Sequence, residues 1–91
     1  MIKRKVTVEN DSGLHARPAS ILVKTASQFA SDFRIHMMGF TINGKSILGV
    51  LTLAAECGAE MELELDGPDE NEALEALVKL FENKFKTNDS V

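Results

Sequence analysis

Glu60-Met61-Glu62-Leu63-Glu64-Leu65-Asp66 alternates acidic and apolar side chains without interruption. Successive side chains of a strand point to opposite faces. The pattern therefore predicts Met61, Leu63 and Leu65 on a core, with Glu60, Glu62, Glu64 and Asp66 in water. A sheet with one wet face is normally antiparallel. Two other stretches carry the same period. Ile2, Arg4, Val6 and Val8 oppose Lys3, Lys5, Thr7 and Glu9, and between Asp32 and Met38 the apolar face is Phe33, Ile35 and Met37. A shorter strand through Thr41 and Ile42 pairs with that one as an edge hairpin. Its turn, Met38-Gly39, is a weaker signal than Asn-Gly.

Between the strands the apolar period changes to that of a helix. Ala19, Leu22, Val23, Ala26 and Phe29 lie on one face of a helix beginning near Arg17. Leu74, Leu77, Val78, Phe81 and Phe85 repeat the spacing near the end of the sequence. A shorter helix is expected from Ser46 to about Glu56, stopped by Gly58. The order is strand, helix, strand, strand, helix, strand, helix. The economical packing is an α+β open-faced sandwich: a four-stranded antiparallel sheet with three helices on one face.

The 91 residues suit a single domain over 1–88, with 89–91 as a C-terminal tail within a frayed stretch from Thr87 to Val91. So small a domain has one core and little depth for an enclosed active site, so chemistry is expected on the surface. The chain is 44% apolar and 26% charged with a net charge of −4. Only Lys3, Arg4 and Lys5 cluster, and they alternate along a strand, which argues against nucleic-acid binding. The sequence shows no signal-peptide pattern and no apolar run long enough to span a bilayer. With a single cysteine, Cys57, a cytoplasmic location is expected.

The helix starts differ from one another. The third, Gly67-Pro68-Asp69-Glu70-Asn71-Glu72, places carboxylates where the helix dipole favours them. The first, Gly13-Leu14-His15-Ala16-Arg17-Pro18-Ala19, has no carboxylate and sets Arg17 at the positive end. The second, Asn43-Gly44-Lys45-Ser46, also carries a cation at that end. Each misplaced charge costs about 0.3–1 kcal/mol at an exposed site. Free backbone N–H groups, a positive dipole end and a nearby cation together suit a phosphate. At the first start a histidine stands at the same spot, and imidazole is a competent nucleophile toward phosphorus. Arg17 would stabilise the equatorial oxygens during an in-line transfer. Equally, a histidine before a helix can simply cap or solvate it, and Ser46 is a good N-cap by residue type.

The motif around His15 and Asn43-Gly44-Lys45-Ser46-Ile47-Leu48-Gly49-Val50 together resemble HPr, the histidine-containing phosphocarrier family of the bacterial phosphotransferase system. The resemblance covers essentially the whole chain. It includes Gly58-Ala59-Glu60 before the last strand and Gly67-Pro68-Asp69-Glu70-Asn71-Glu72-Ala73-Leu74 before the final helix. It implies that His15 accepts a phosphoryl group through Nδ1 from phosphorylated enzyme I and passes it to an enzyme IIA domain, with Arg17 beside it. It also implies Ser46 as a regulatory phosphorylation site for an HPr kinase/phosphorylase, with a transcriptional regulator as a further partner. The resemblance calls for a stoichiometric, monomeric carrier with no metal and no cofactor.

A carrier that docks on several proteins needs an apolar patch, and Ile47, Leu48 and Leu51 are assigned to it with Pro18, and Lys24 at its rim. Gly49, in the middle of a helix, would admit a close partner backbone. His36 reads as a wet-face strand residue, and Cys57 as a small buried or helix-end residue. Asp11 and Ser12 help shape the loop before His15 and receive no catalytic role. The alternative within the family is a regulatory binding module, nitrogen-branch or catabolite-control, acting through its phosphorylation state. Outside it stands a small ligand-binding domain without phosphoryl chemistry.

Overall fold

The computed structural model describes residues 1–86. Its elements are β1 (Ile2–Thr7), α1 (Ala16–Ala26), β2 (Asp32–Met37), β3 (Phe40–Asn43), α2 (Ile47–Thr52), β4 (Glu60–Asp66) and α3 (Glu70–Glu82). The strands form one antiparallel sheet in the order β1-β4-β2-β3, so the strand with the clearest alternation lies between two others. The inward side chains Val6, Phe33, Ile35, Met61, Leu63 and Leu65 are buried against Leu22, Val23 and Ala26 of α1 and Leu77, Val78 and Phe81 of α3. Val50 anchors α2 to the same core. The expected α+β sandwich is the fold observed. Among the described residues no helix is long and apolar enough to cross a membrane. The tail placed at 89–91 lies outside the described residues.

The β2–β3 hairpin forms where expected. Met38 and Gly39 both take positive φ, 50° and 84°, the pair of left-handed residues a two-residue primed turn requires. The helices differ more from expectation. α1 begins at Ala16, and α2 has six residues and ends at Thr52 instead of near Glu56. Ala54 adopts φ 49°, which breaks the helical path before Gly58 is reached. Gly58 instead donates its N–H to the Val8 carbonyl at 2.7 Å, tying the α2–β4 loop to the end of β1.

The open face of the sheet is not uniformly wet. Glu64, expected in water, is only 7% exposed. Its central strand places it opposite Lys3 on β1 and Arg34 on β2. His36 Nε2 lies 2.8 Å from its carboxylate, Arg34 Nη1 donates at 3.0 Å, and Lys3 Nζ approaches to 4.0 Å. The His36 hydrogen bond, aided by Arg34, holds Glu64 below the usual carboxylate range against burial, which pushes it up.

α3 starts on Asp69, whose carboxylate serves another segment. It accepts from the backbone N–H groups of Ala30 and Ser31 at 2.8 and 2.9 Å and from the Ser31 hydroxyl at 2.5 Å. These bonds fix the turn between α1 and β2, and the Ser31 hydroxyl leads in holding Asp69 below its ordinary range.

Candidate functional site

The residue before α1 is His15, in extended conformation (φ −92°, ψ −165°), and its carbonyl accepts the first helical bond from Ala19 at 2.9 Å. Its side chain does not cap the helix, and the first turn contains no acid. The first N–H groups of a helix have no partner within it. Here those of Ala16 and Arg17 stand beside an exposed imidazole with no side chain to satisfy them. Pro18, in the same turn, has no N–H to leave unpaired. Arg17 is exposed and pairs with no carboxylate among the described residues.

The loop that presents His15 is held from three sides. The Asn10 side-chain amide donates to the Gly13 carbonyl at 2.6 Å, and the Gly13 N–H donates to the Asn10 carbonyl at 3.0 Å. Leu14, buried at 3% exposure, donates its N–H to the Ala55 carbonyl at 2.9 Å. Gly13 has φ +71°, and a Cβ there would collide with the Ala55 carbonyl. At the tip Ser12 Oγ is hydrogen-bonded to His15 Nε2 at 2.8 Å. The other ring nitrogen, Nδ1, has no hydrogen-bond partner among the described residues.

From the sequence alone Ser12 is a loop-shaping residue without a catalytic role, and its contact with the ring is not foreseen. A hydroxyl three residues before a histidine is a weak signal, because only the left-handed turn at Gly13 folds the loop back far enough to join them.

The second helix start is occupied by the chain's own contacts. Ser46 is the N-cap of α2, its hydroxyl accepting from the Gly49 N–H at 3.0 Å. Lys45, noted for its charge at the wrong end, donates from Nζ to the Phe29 carbonyl at 2.8 Å, which accounts for a cation there without an anion. A Cβ on Gly49 would lie 3.2 Å from the Asn43 carbonyl, a tight contact within the chain itself.

The apolar patch is narrower than expected. Ile47 and Leu48 are 43% and 75% exposed. Leu51 is half-buried against the core, and Pro18 is buried in the first turn of α1. Lys24 is exposed in the last turn of α1. Cys57, expected buried or at a helix end, is exposed in the α2–β4 loop, because α2 stops five residues before it. His36 is held by Thr41 and Glu64. Among the described residues no three His, Cys, Asp or Glu side chains converge as a metal site would require.

Comparison with known proteins follows the same arrangement. A family model described as the PTS HPr component phosphorylation site matches residues 2–83. The phosphocarrier protein HPr of Treponema pallidum is 46% identical over 86 residues, covering 94% of this chain and 98% of the relative. The chain belongs to the HPr family.

Solved structures agree. The HPr of Thermoanaerobacter tengcongensis superposes with a TM-score of 0.91 at 41% identity, covering 93% of this chain and 96% of that one. The Bacillus subtilis catabolite repression protein Crh, described as a domain-swapped dimer, superposes with a TM-score of 0.74 at 39% identity, over 96% of this chain and all of that one. HPr is a phosphocarrier of the phosphotransferase system, not a catalyst with its own turnover.

Proposed function

We propose that His15 of this HPr-family chain takes a phosphoryl group from phosphorylated enzyme I and delivers it to an enzyme IIA domain. The observation that carries this reading is an exposed, uncapped imidazole at an acid-free helix start, with Nδ1 unengaged and Arg17 two residues on. The Nδ1 lone pair forms the new N–P bond as the donor's P–N bond breaks in line. The N–H groups of Ala16 and Arg17 and the Arg17 guanidinium stabilise the three equatorial oxygens. Delivery to the acceptor histidine is the same step in reverse.

Docking uses Ile47 and Leu48, which belong to a helix packed on α1. Leu51, half-buried on the same helix, and Pro18, buried in the first turn of α1, belong to the same docking region. These exchanges take place in the cytoplasm. Phosphorylation of Ser46 by an HPr kinase/phosphorylase would set charge beside Ile47 and weaken docking by repulsion and desolvation.

The test is transfer from labelled phosphoenolpyruvate through enzyme I. Wild type takes acid-labile label and His15→Ala takes none. Equal labelling of the two proteins, or acid-stable label, overturns the reading.

A further inference from the structure

The His15 ring is held through Nε2 by a hydroxyl and not by a carboxylate, and the difference has chemical consequences. Ser12 Oγ lies 2.8 Å from Nε2, on a loop fixed by the Asn10–Gly13 pair and by Leu14 on Ala55. The charged neighbours are Glu9 and Asp11 on the same loop, Glu56 beside Gly13, and Arg17 on α1. None of these carboxylates forms an ion pair with the ring.

We propose that Ser12 is a positioning residue that accepts a hydrogen bond from Nε2–H and so keeps the ring proton on Nε2 in both the free and the phosphorylated carrier. The proposal rests on the phosphocarrier reading of His15. In the free protein, a proton on Nε2 leaves the lone pair on Nδ1, which has no hydrogen-bond partner among the described residues. When Nδ1 bonds to phosphorus, the donor imidazole leaves with the electrons of its own P–N bond, and the proton on Nε2 of His15 stays where it is. When the phosphoryl group moves on, the His15 ring departs as neutral imidazole carrying that same proton. Imidazolate, a far poorer leaving group, never forms. No proton moves in either direction.

A carboxylate at position 12 would hold the ring as well, but it would also stabilise imidazolium, which has no lone pair to offer. A neutral hydroxyl orients the ring while leaving it free to react.

Ring-nitrogen NMR on unphosphorylated protein at mildly alkaline pH reads the tautomer without any partner. Wild type should show Nε2 protonated and Nδ1 bare. Nδ1 protonated, with Nε2 accepting from the Ser12 hydroxyl, overturns the proposal. In the transfer assay, Ser12→Ala should accept phosphoryl groups about two- to tenfold more slowly, the range expected for one neutral hydrogen bond. Ser12→Thr should restore the rate, and Ser12→Asp should move the acid limb of the pH–rate profile upward. Wild-type rates and an unmoved limb in Ser12→Ala and Ser12→Asp also overturn it. If wild type takes no phosphoryl group from enzyme I, the carrier reading falls, and the NMR result still decides the role of Ser12.

Discussion

The Leu14 N–H donates to the Ala55 carbonyl at 2.9 Å, so the loop that presents His15 hangs from the segment leaving α2. His15, the proposed phosphoryl acceptor, and the helix bearing Ile47 and Leu48 are thereby held in one frame. A partner that grips α2 meets His15 at a fixed offset, which matters because a 1 Å misplacement can cost a hundredfold in rate.

Gly13 makes that joint possible. Substitution to Ala places an L side chain at φ +71° and a Cβ against the Ala55 carbonyl. Gly13→Ala should lose about 2–4 kcal/mol of stability through backbone strain and overlap. Urea unfolding measures it, and a loss below about 0.5 kcal/mol would show that the loop relaxes freely.

Ala54 presents the opposite case. It is exposed at φ 49°, a conformation that disfavours any residue with a Cβ. Ala54→Gly should raise stability by about 1 kcal/mol, since relief of a left-handed alanine exceeds the entropy lost to glycine. A lower unfolding midpoint in the variant would contradict this.

Ser46 should separate stability from transfer. Its hydroxyl caps α2 through the Gly49 N–H, so Ser46→Ala should cost about 1 kcal/mol while leaving phosphoryl transfer near wild type. Ser46→Asp keeps a capping oxygen and adds charge beside Ile47, so stability should hold while KM for enzyme I rises. Thermal unfolding and transfer kinetics on the two variants test the pair, and transfer unchanged in Ser46→Asp would remove the regulatory role.

Acid stability should depend on Asp69 and Glu64. Each is held below its ordinary pKa, Asp69 mainly by the Ser31 hydroxyl and Glu64 mainly by His36. A depressed folded-state pKa gives stability that is fully present above the unfolded pKa, about 4, and is lost as pH falls through the folded value. Ser31→Ala should therefore be destabilised at neutral pH and show a shallower loss on acidification. A parallel downward shift at every pH would exclude this linkage.

Much of the fold was legible because it rests on local periodicity. Glu60 to Asp66 announced β4, and Leu22, Val23 and Ala26 announced α1. The burial of Glu64 was not legible, because it depends on two strands distant in sequence supplying Lys3, Arg34 and His36 to its sides. The early end of α2 depended on one alanine adopting a conformation its residue type disfavours. At the site, His15 and Arg17 stood out through a missing carboxylate. Ser12 did not, since its contact with His15 exists only after Gly13 turns the loop and Ala55 holds it. Lys45 misled for a similar reason, because its carbonyl partner at Phe29 is set by tertiary packing.

The most direct test is the relay itself. Protein phosphorylated by enzyme I and phosphoenolpyruvate is freed from both and mixed with an unphosphorylated enzyme IIA. A carrier predicts one acid-labile phosphoryl group per chain on His15, lost from it as the same amount appears on the enzyme IIA. Phosphate that stays on the chain, or reaches the enzyme IIA equally well from His15→Ala, would contradict it.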